Sequence, residues 1–246
     1  MGESITIFPY NILESGTVTV TGTPDTGYPE ARLWDRSRNL FWKDTVTQAK
    51  TFLVDQGAAG SLAVDLLWIA GHNFDGEDMQ FQWSADNFAA DTNDAVTDWT
   101  QSGYSDIVKT LTALTKRYWR VTVSSIINPM CAEICMSKGY EFGVQAKLAP
   151  RHGFAPNVQW SRSIGGQESS VKLGEDKRSR RYILRLDSSG LADFETVIGY
   201  LNGWAYPFLF KDKDGNYFMA RFSESPNYKY FNKNYTEIDV SIIEML

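Results

Sequence analysis

TFLVDQGAAGSLAVDLLWIAGHNFDGEDMQFQWSADNF, residues 51–88, is the stretch that decides the fold. It reads as three short runs rich in Val, Ile, Leu, Phe and Trp: 50–57, 64–74 and 79–88. Each is bounded by Gly, Asn or Asp, which is the vocabulary of β-strands joined by turns. Toward the N-terminus, SGTVTVTGT (15–23) alternates Val with Thr and predicts a half-buried strand closed by the turn Pro24-Asp25-Thr26-Gly27. Toward the C-terminus, YWRVTVS (118–124) alternates again and is followed by the strand MCAEICM (130–136). Short strands at this spacing predict a β-sandwich. Between them, AADTNDAVTDWTQ (89–101) is acidic and has no sustained period, so it is expected to be a long surface connection. SDIVKTLTALTKRYW (105–119) fits a helical turn and a strand equally.

The character of the chain shifts in AKLAPRHGFAPNVQW (146–160), where Pro150, Gly153 and Pro156 fall close together. The expected organisation is a β-sandwich domain at 1–146, a linker at 147–157 and a smaller α+β domain at 158–246. The halves differ in charge: residues 1–149 hold 11 bases and 18 acids, net −7, and residues 150–246 hold 13 bases and 12 acids, net +1. The second half contains the Arg-rich strand RSRRYILRLD, a helix, the hairpin YPFLFKDKDGNYFMARF and a final strand EIDVSIIEML. Leu191, Phe194, Val197, Ile198 and Leu201 form one apolar helical stripe, with Ser188 and Ser189 as candidate N-caps and Gly203 as the stop.

Composition narrows the function. The 246 residues carry 24 Lys+Arg against 30 Asp+Glu, net −6, which argues against a nucleic-acid partner. With 43% hydrophobic and 22% charged residues the chain can build a core. The N-terminus MGESITIFPYNILE lacks a secretory pattern, and no run reaches the ~18 apolar residues of a membrane span, so a cytosolic chain without membrane insertion is expected. Cys131 and Cys135, in one strand-like segment, are expected to be buried free thiols.

No catalytic, cofactor or metal site is expected. His72 and His152 stand apart from each other and from any ligand-spaced Cys, and His72 reads as a loop histidine bonded to backbone. No Gly-rich phosphate loop is present. Residues 75–108 supply eight carboxylates and no Lys or Arg, enough for a glycosidase pair or a calcium site, yet they read first as solvated surface. Asp212 to Asn216 resembles the start of a calcium loop but reads as a hairpin turn at Asp214-Gly215. Arg178, Arg180, Arg181 and Arg185, with Lys172 and Lys177, form one basic cluster, expected to pair with carboxylates of a protein partner or of the acidic first half. Trp68 belongs to the core. Trp99 is the best exposed platform, and with Asn73 and Asp86 it forms the candidate glycan-contact set.

Two resemblances follow. LWDRSRNLFW (33–42), residues 51–76, MQFQWSADNF (79–88), RYWRVTVSS (117–125) and CAEICM (131–136) resemble, in order and character, a discoidin-type (galactose-binding-like) jelly roll. The carrying features are Gly71-His72-Asn73, Trp83-Ser84-x-Asp86, Arg117-Tyr118-x-Arg120 and an inward Glu133 on the closing strand. Residues 158–246 resemble bacteriophage distal and minor tail proteins through RRYILRL, LADFETVIGYLNGW, the Pro-Phe hairpin and the terminal IIEML. Together they imply a mainly β protein: a discoidin-like jelly roll followed by a tail-type α+β domain. The implied function is a non-enzymatic structural component of a phage tail tip or baseplate. It would form a trimeric or hexameric ring through Arg178, Arg180, Arg181 and Arg185, contact other tail proteins, and reside in a virion assembled in the host cytoplasm. The alternative is a carbohydrate-binding module for host surface glycans.

Overall fold

The computed structural model describes residues 3–58, 61–144, 151–155, 158–162, 168–172 and 176–245. The chain divides into two compact units, Phe8–Gly139 and Met1–Ile7 with Tyr140–Leu246. The class is mainly β.

The first strand, β1 (Ser4–Phe8), belongs to the second of these units. The Phe8–Gly139 unit then runs α1 (Ile12–Ser15), β2 (Thr17–Val20), β3 (Trp42–Lys43), β4 (Gln48–Asp55), β5 (Ala63–Ala70), β6 (Asp78–Ser84), β7 (Asn93–Thr100), β8 (Ile107–Thr115), β9 (Tyr118–Ile126), β10 (Met130–Cys131) and β11 (Glu133–Ser137). A five-stranded sheet in the order β2-β4-β9-β6-β7 and a three-stranded sheet β11-β5-β8 form the sandwich, with β3-β10 as a short pair. Alternation decides the inner face: Phe52 and Val54, Met79 and Phe81, and Trp119, Val121 and Val123 are buried. β5 is buried almost throughout because it is the central strand of its sheet. Trp42 meets Phe52 edge-on at 5.3 Å between ring centroids, and Phe81 stacks on Trp119 at the same distance. Such pairs favour one packing over its alternatives.

Two expectations for this unit change. The supposed connection 89–101 contains β7, a strand whose polarity reflects its place at the sheet edge, where neither face is fully buried. The ambiguous 105–119 segment is a strand, β8, with many of its threonines facing solvent.

The other unit continues with β12 (Tyr140–Gly143), β13 (Arg151–Ala155), β14 (Val158–Arg162), β15 (Glu168–Lys172), β16 (Lys177–Leu186), α2 (Ser188–Tyr200), β17 (Phe208–Lys211), β18 (Tyr217–Phe222), β19 (Asn227–Asn232) and β20 (Tyr235–Glu244). Its main sheet has the order β12-β1-β17-β18-β20-β16-β13, with β19 also beside β20; β14 and β15 pair separately. Phe194, Val197 and Leu201 of α2 and the turn after it enter a core with Tyr182, Leu184, Phe208, Phe210, Ile238 and Val240. Asp187, rather than Ser188 or Ser189, caps α2, accepting from the Gly190 amide at 2.9 Å. Gly203, at φ +80°, ends the turn by donating to the Ile198 carbonyl at 2.9 Å.

The expected partition at 1–146, 147–157 and 158–246 is corrected. β1 pairs antiparallel with β12, Ser4 opposite Gly143, so both ends of the first segment join the later sheet and the sandwich is inserted between them. The described part of the expected linker is β13, paired with β16 from Arg151 opposite Arg181 to Ala155 opposite Lys177. Its flanking prolines lie outside the described residues.

Candidate functional site

Alternation that sends Met79, Phe81, Val121 and Val123 inward sends Asp78, Gln80 and Gln82 of β6 and Arg120, Thr122 and Ser124 of β9 to the outer face. The register places Gln80 opposite Thr122 and Gln82 opposite Arg120, with β7 completing each row at the edge. In one row Thr122 Oγ1 donates to Gln80 Oε1 at 3.1 Å, and Gln80 Nε2 donates to Asp98 Oδ2 at 2.8 Å. In the next, Arg120 Nε donates to Gln82 Oε1 and Gln82 Nε2 to Asp94 Oδ1, both at 2.8 Å. At the third, Thr100 Oγ1 donates to Asp78 Oδ1 at 2.6 Å, while the Asp78 amide donates to Ser124 Oγ, which donates to Glu77. Because a carboxylate can only accept, the acids on β7 fix which way each glutamine amide turns.

The first and third of these rows floor an open cleft of about 480 Å³, lined by Asp78, Gln80, Asp98, Trp99, Thr100, Thr122 and their neighbours. Trp99, half-buried and opposite the inward Met79 in register, turns its ring to the inner side of the sheet, where the Lys109 ammonium of β8 lies 4.2 Å from the ring centroid. Burial pushes the Lys109 pKa down. The Trp99 indole N–H is buried without a hydrogen-bond partner among the described residues. The Asp78 Oδ2 and Asp98 Oδ1 atoms take no hydrogen bond from described residues, so the cleft presents free acceptor oxygens.

The structure does not unite the expected contact residues. Asn73 is used locally: its Oδ1 accepts from the Met130 amide at 2.8 Å and its Nδ2 donates to the Asn128 carbonyl at 3.0 Å. Asp86 organises its own turn, accepting from Ser84 Oγ at 2.8 Å and from the amides of Ala89, Ala90 and Asp91. The Ser84 hydroxyl and then these amides hold its carboxyl below the usual range. Asn73 precedes β6 and Asp86 follows it, and a seven-residue strand separates them by roughly 20 Å. Trp99 lies near the Asn73 end, since it pairs with Met79. Sequence reasoning missed Asp78, Gln80, Asp98, Thr100 and Thr122; the available signal was the alternate polar positions on two strands with apolar inner faces.

The basic cluster is also redirected. The carboxylate partners of Arg178, Arg180, Arg181 and Arg185 lie in their own unit rather than in the acidic first half. Arg178 is 3.5 Å from Glu244, Arg180 is 3.7 Å from Asp212 and Arg185 is 2.6 Å from Glu237. Arg181 Nε donates to Asp239 Oδ1 at 2.9 Å. Arg181 and Arg185 face outward and meet β20 carboxylates across the ladder, while Arg178 and Arg180 share the face of the buried Tyr182 and Leu184, and Arg180 reaches Asp212 of the β17–β18 turn.

Other singled-out residues have structural roles. His72 Nδ1 accepts from the Phe74 amide at 3.2 Å, so Nε2 holds the proton and donates to the Ser105 carbonyl at 2.9 Å. Burial lowers its pKa. Cys131 and Cys135 are free and buried, and burial raises both thiols well above their ordinary range. Asp212 closes the β17–β18 turn by accepting from the amides of Asp214 and Asn216 at 3.0 and 2.9 Å, with Gly215 at φ +85°. The side chain of His152 lies outside what the structure describes. Among the described residues no group of three His, Cys, Asp or Glu could hold a metal ion. No described helix is long and apolar enough to cross a membrane.

No family model and no curated protein matches the chain. Several solved structures are similar to it. A GH29 fucosidase from Ruminococcus gnavus, solved with fucose, is 16% identical over 55% of this chain, with a TM-score of 0.46. The match spans 28% of the fucosidase's length. Chitosan-binding module 1 of a Paenibacillus chitosanase/glucanase is 19% identical over 52% of this chain and 99% of its own, with a TM-score of 0.42. CpGH89CBM32-6 of Clostridium perfringens is 17% identical over 53% of this chain and 100% of its own, with a TM-score of 0.43.

Proposed function

We propose that the Phe8–Gly139 unit is a non-catalytic carbohydrate-binding module and that the cleft over β9, β6 and β7 holds the sugar. The observation that carries the reading is the lining. Asp78 and Asp98 offer free acceptor oxygens, and Gln80, Thr100 and Thr122 line up beside them at strand spacing. Sugar hydroxyls donate to such acceptors, and a few fixed polar groups give orientation. On a glycan array the purified chain is expected to bind at least one neutral or host-surface glycan. Asp78→Ala and Asp98→Ala should each weaken that binding about tenfold, the loss of one hydrogen bond. No glycan bound, or variants that bind as the parent does, overturns the reading.

A second reading is a structural part of a phage tail tip or baseplate. It draws support from the exposed aromatics of the other unit, Trp204, Tyr206 and Tyr230 at 53%, 50% and 75% exposure. Aromatic side chains of this kind anchor protein interfaces.

A further inference from the structure

We infer that copies of this chain associate head to tail, β19 of one against β7 of the next. The inference gives the assembly reading a surface and does not depend on the sugar reading.

Both strands end their sheets. β19 has only β20 beside it and β7 only β6, so among the described residues each presents a free row of backbone N–H and C=O groups. The segment around β19, NYKYFNKNY (227–235), holds two lysines and no carboxylate. Tyr228, Tyr230 and Tyr235 are 46%, 75% and 42% exposed. Lys229 and Lys233 are exposed and form no ion pair among the described residues; Glu237, opposite Lys229 in register, is held by Arg185. β7, NDAVTDWT, is the converse, with Asp94 and Asp98 exposed and no base. Each of those aspartates binds one glutamine amide on its own sheet and has capacity to spare.

Charge then selects the pairing. Two β19 edges would set lysine against lysine, and two β7 edges aspartate against aspartate, so each edge resists its own kind. Only β19 against β7 opposes unlike charges, which is specificity by repulsion as well as attraction. Strand addition supplies main-chain hydrogen bonds. Tyr228 and Tyr230, two residues apart, share one face of β19 and add contact area there. A contact between different edges is heterologous, so it propagates and closes into a ring or continues as a filament. Asp98 also lines the cleft, so a seated neighbour and a bound sugar compete for it.

The test is the mass of the full chain by multi-angle light scattering over a wide concentration range at low and high salt. The expected result is a mass above 27.8 kDa that grows with concentration and falls with salt. The double variants Lys229→Glu/Lys233→Glu and Asp94→Lys/Asp98→Lys should each be monomeric. Mixed in equal amounts they should regain the larger species, because each then meets an edge of opposite charge. Tyr230→Ala, with an unchanged circular dichroism spectrum, should shift assembly to higher concentration. A wild-type monomer under all conditions, a reversed variant that still assembles, or a mixture that stays monomeric overturns the inference. Glycan binding is measured separately on the Lys229→Glu/Lys233→Glu variant, which leaves Asp98 and the rest of the cleft unchanged, so its loss or survival there reports on the cleft and not on assembly.

Discussion

The two units use the same ion-pair chemistry in opposite surroundings. In the sandwich, Lys50 occupies an inward position of β4 and places Nζ 2.7 Å from Asp44 Oδ2, both side chains wholly shielded from solvent. Asp44 also accepts from the amides of Thr23 at 3.1 Å and Val46 at 2.7 Å. Gly22, at φ +116°, is required here: a Cβ would fall 1.9 Å from Asp44 Oδ2. On the other unit, Arg181 meets Asp239 with side chains 48% and 24% exposed. A buried pair fixes geometry because neither charge can be left alone, whereas an exposed pair exchanges freely with water.

Lys50→Met should therefore have the largest effect. It strands Asp44 inside the core and should cost about 3–5 kcal/mol in urea unfolding. Tryptophan fluorescence follows it well, since six of the eight tryptophans lie between residues 8 and 139. Burial pushes the Asp44 carboxyl up, but the Lys50 hydrogen bond and the Val46 and Thr23 amides outweigh it, and the net pKa is lowered. A depressed folded pKa contributes stability above the unfolded value near about 4 that is lost as pH falls through the folded one. The parent's acid limb should carry this term and the variant's should lack it. A loss below about 1 kcal/mol would place Lys50 with the surface pairs and break the contrast.

Arg180 and Arg181 sharpen the contrast within one strand. Arg180 is 11% exposed beside the fully buried Asp212, and Arg181 is half exposed. Arg180→Glu sets two carboxylates together at a buried position. It should cost about 2 kcal/mol, below the full buried-pair penalty because Asp212 keeps its turn hydrogen bonds. Arg181→Glu should leave the thermal midpoint of its unit where it was. Equal shifts would mean that exposure does not order these arginines.

What could be read in advance follows from which interactions are local. The runs at 51–88, the Asp214-Gly215 turn and the stripe from Leu191 to Leu201 declare themselves through period and turn chemistry, and each forms as read. β1 pairing with β12 joins residues more than a hundred positions apart, and nothing in SITIF identifies YEFG as its neighbour. β7 escaped because an edge strand with polar faces carries no alternation. The arginines read as charges seeking carboxylates, but which carboxylates they meet depends on the β16–β20 register and, for Arg180, on the β17–β18 turn, which no local pattern of the strand encodes. The cleft is the same case: Gln80 and Thr122 are polar positions between apolar ones on separate strands, and only pairing turns them into one row.

Glu133 gives a smaller effect than Lys50 or Arg180, and the one with the opposite sign. It lies on β11 only 1% exposed, and its Oε2 accepts from the Arg36 amide at 3.0 Å. Burial first, and then the charge of Asp35, raise its pKa well above the ordinary carboxylate value. The folded chain thus holds a proton that the unfolded chain releases near pH about 4, so this group's stabilising contribution is full below that pH and is lost as pH rises through the folded pKa. Glutamine keeps an acceptor for the Arg36 amide and never ionises. Glu133→Gln should raise stability at neutral pH by about 1 kcal/mol and flatten its decline from mildly acidic to neutral conditions. Urea midpoints measured across that range decide it. A variant with the parent's slope would mean that Glu133 is ionised in the folded chain, and that the sandwich tolerates a second buried charge without a lysine beside it.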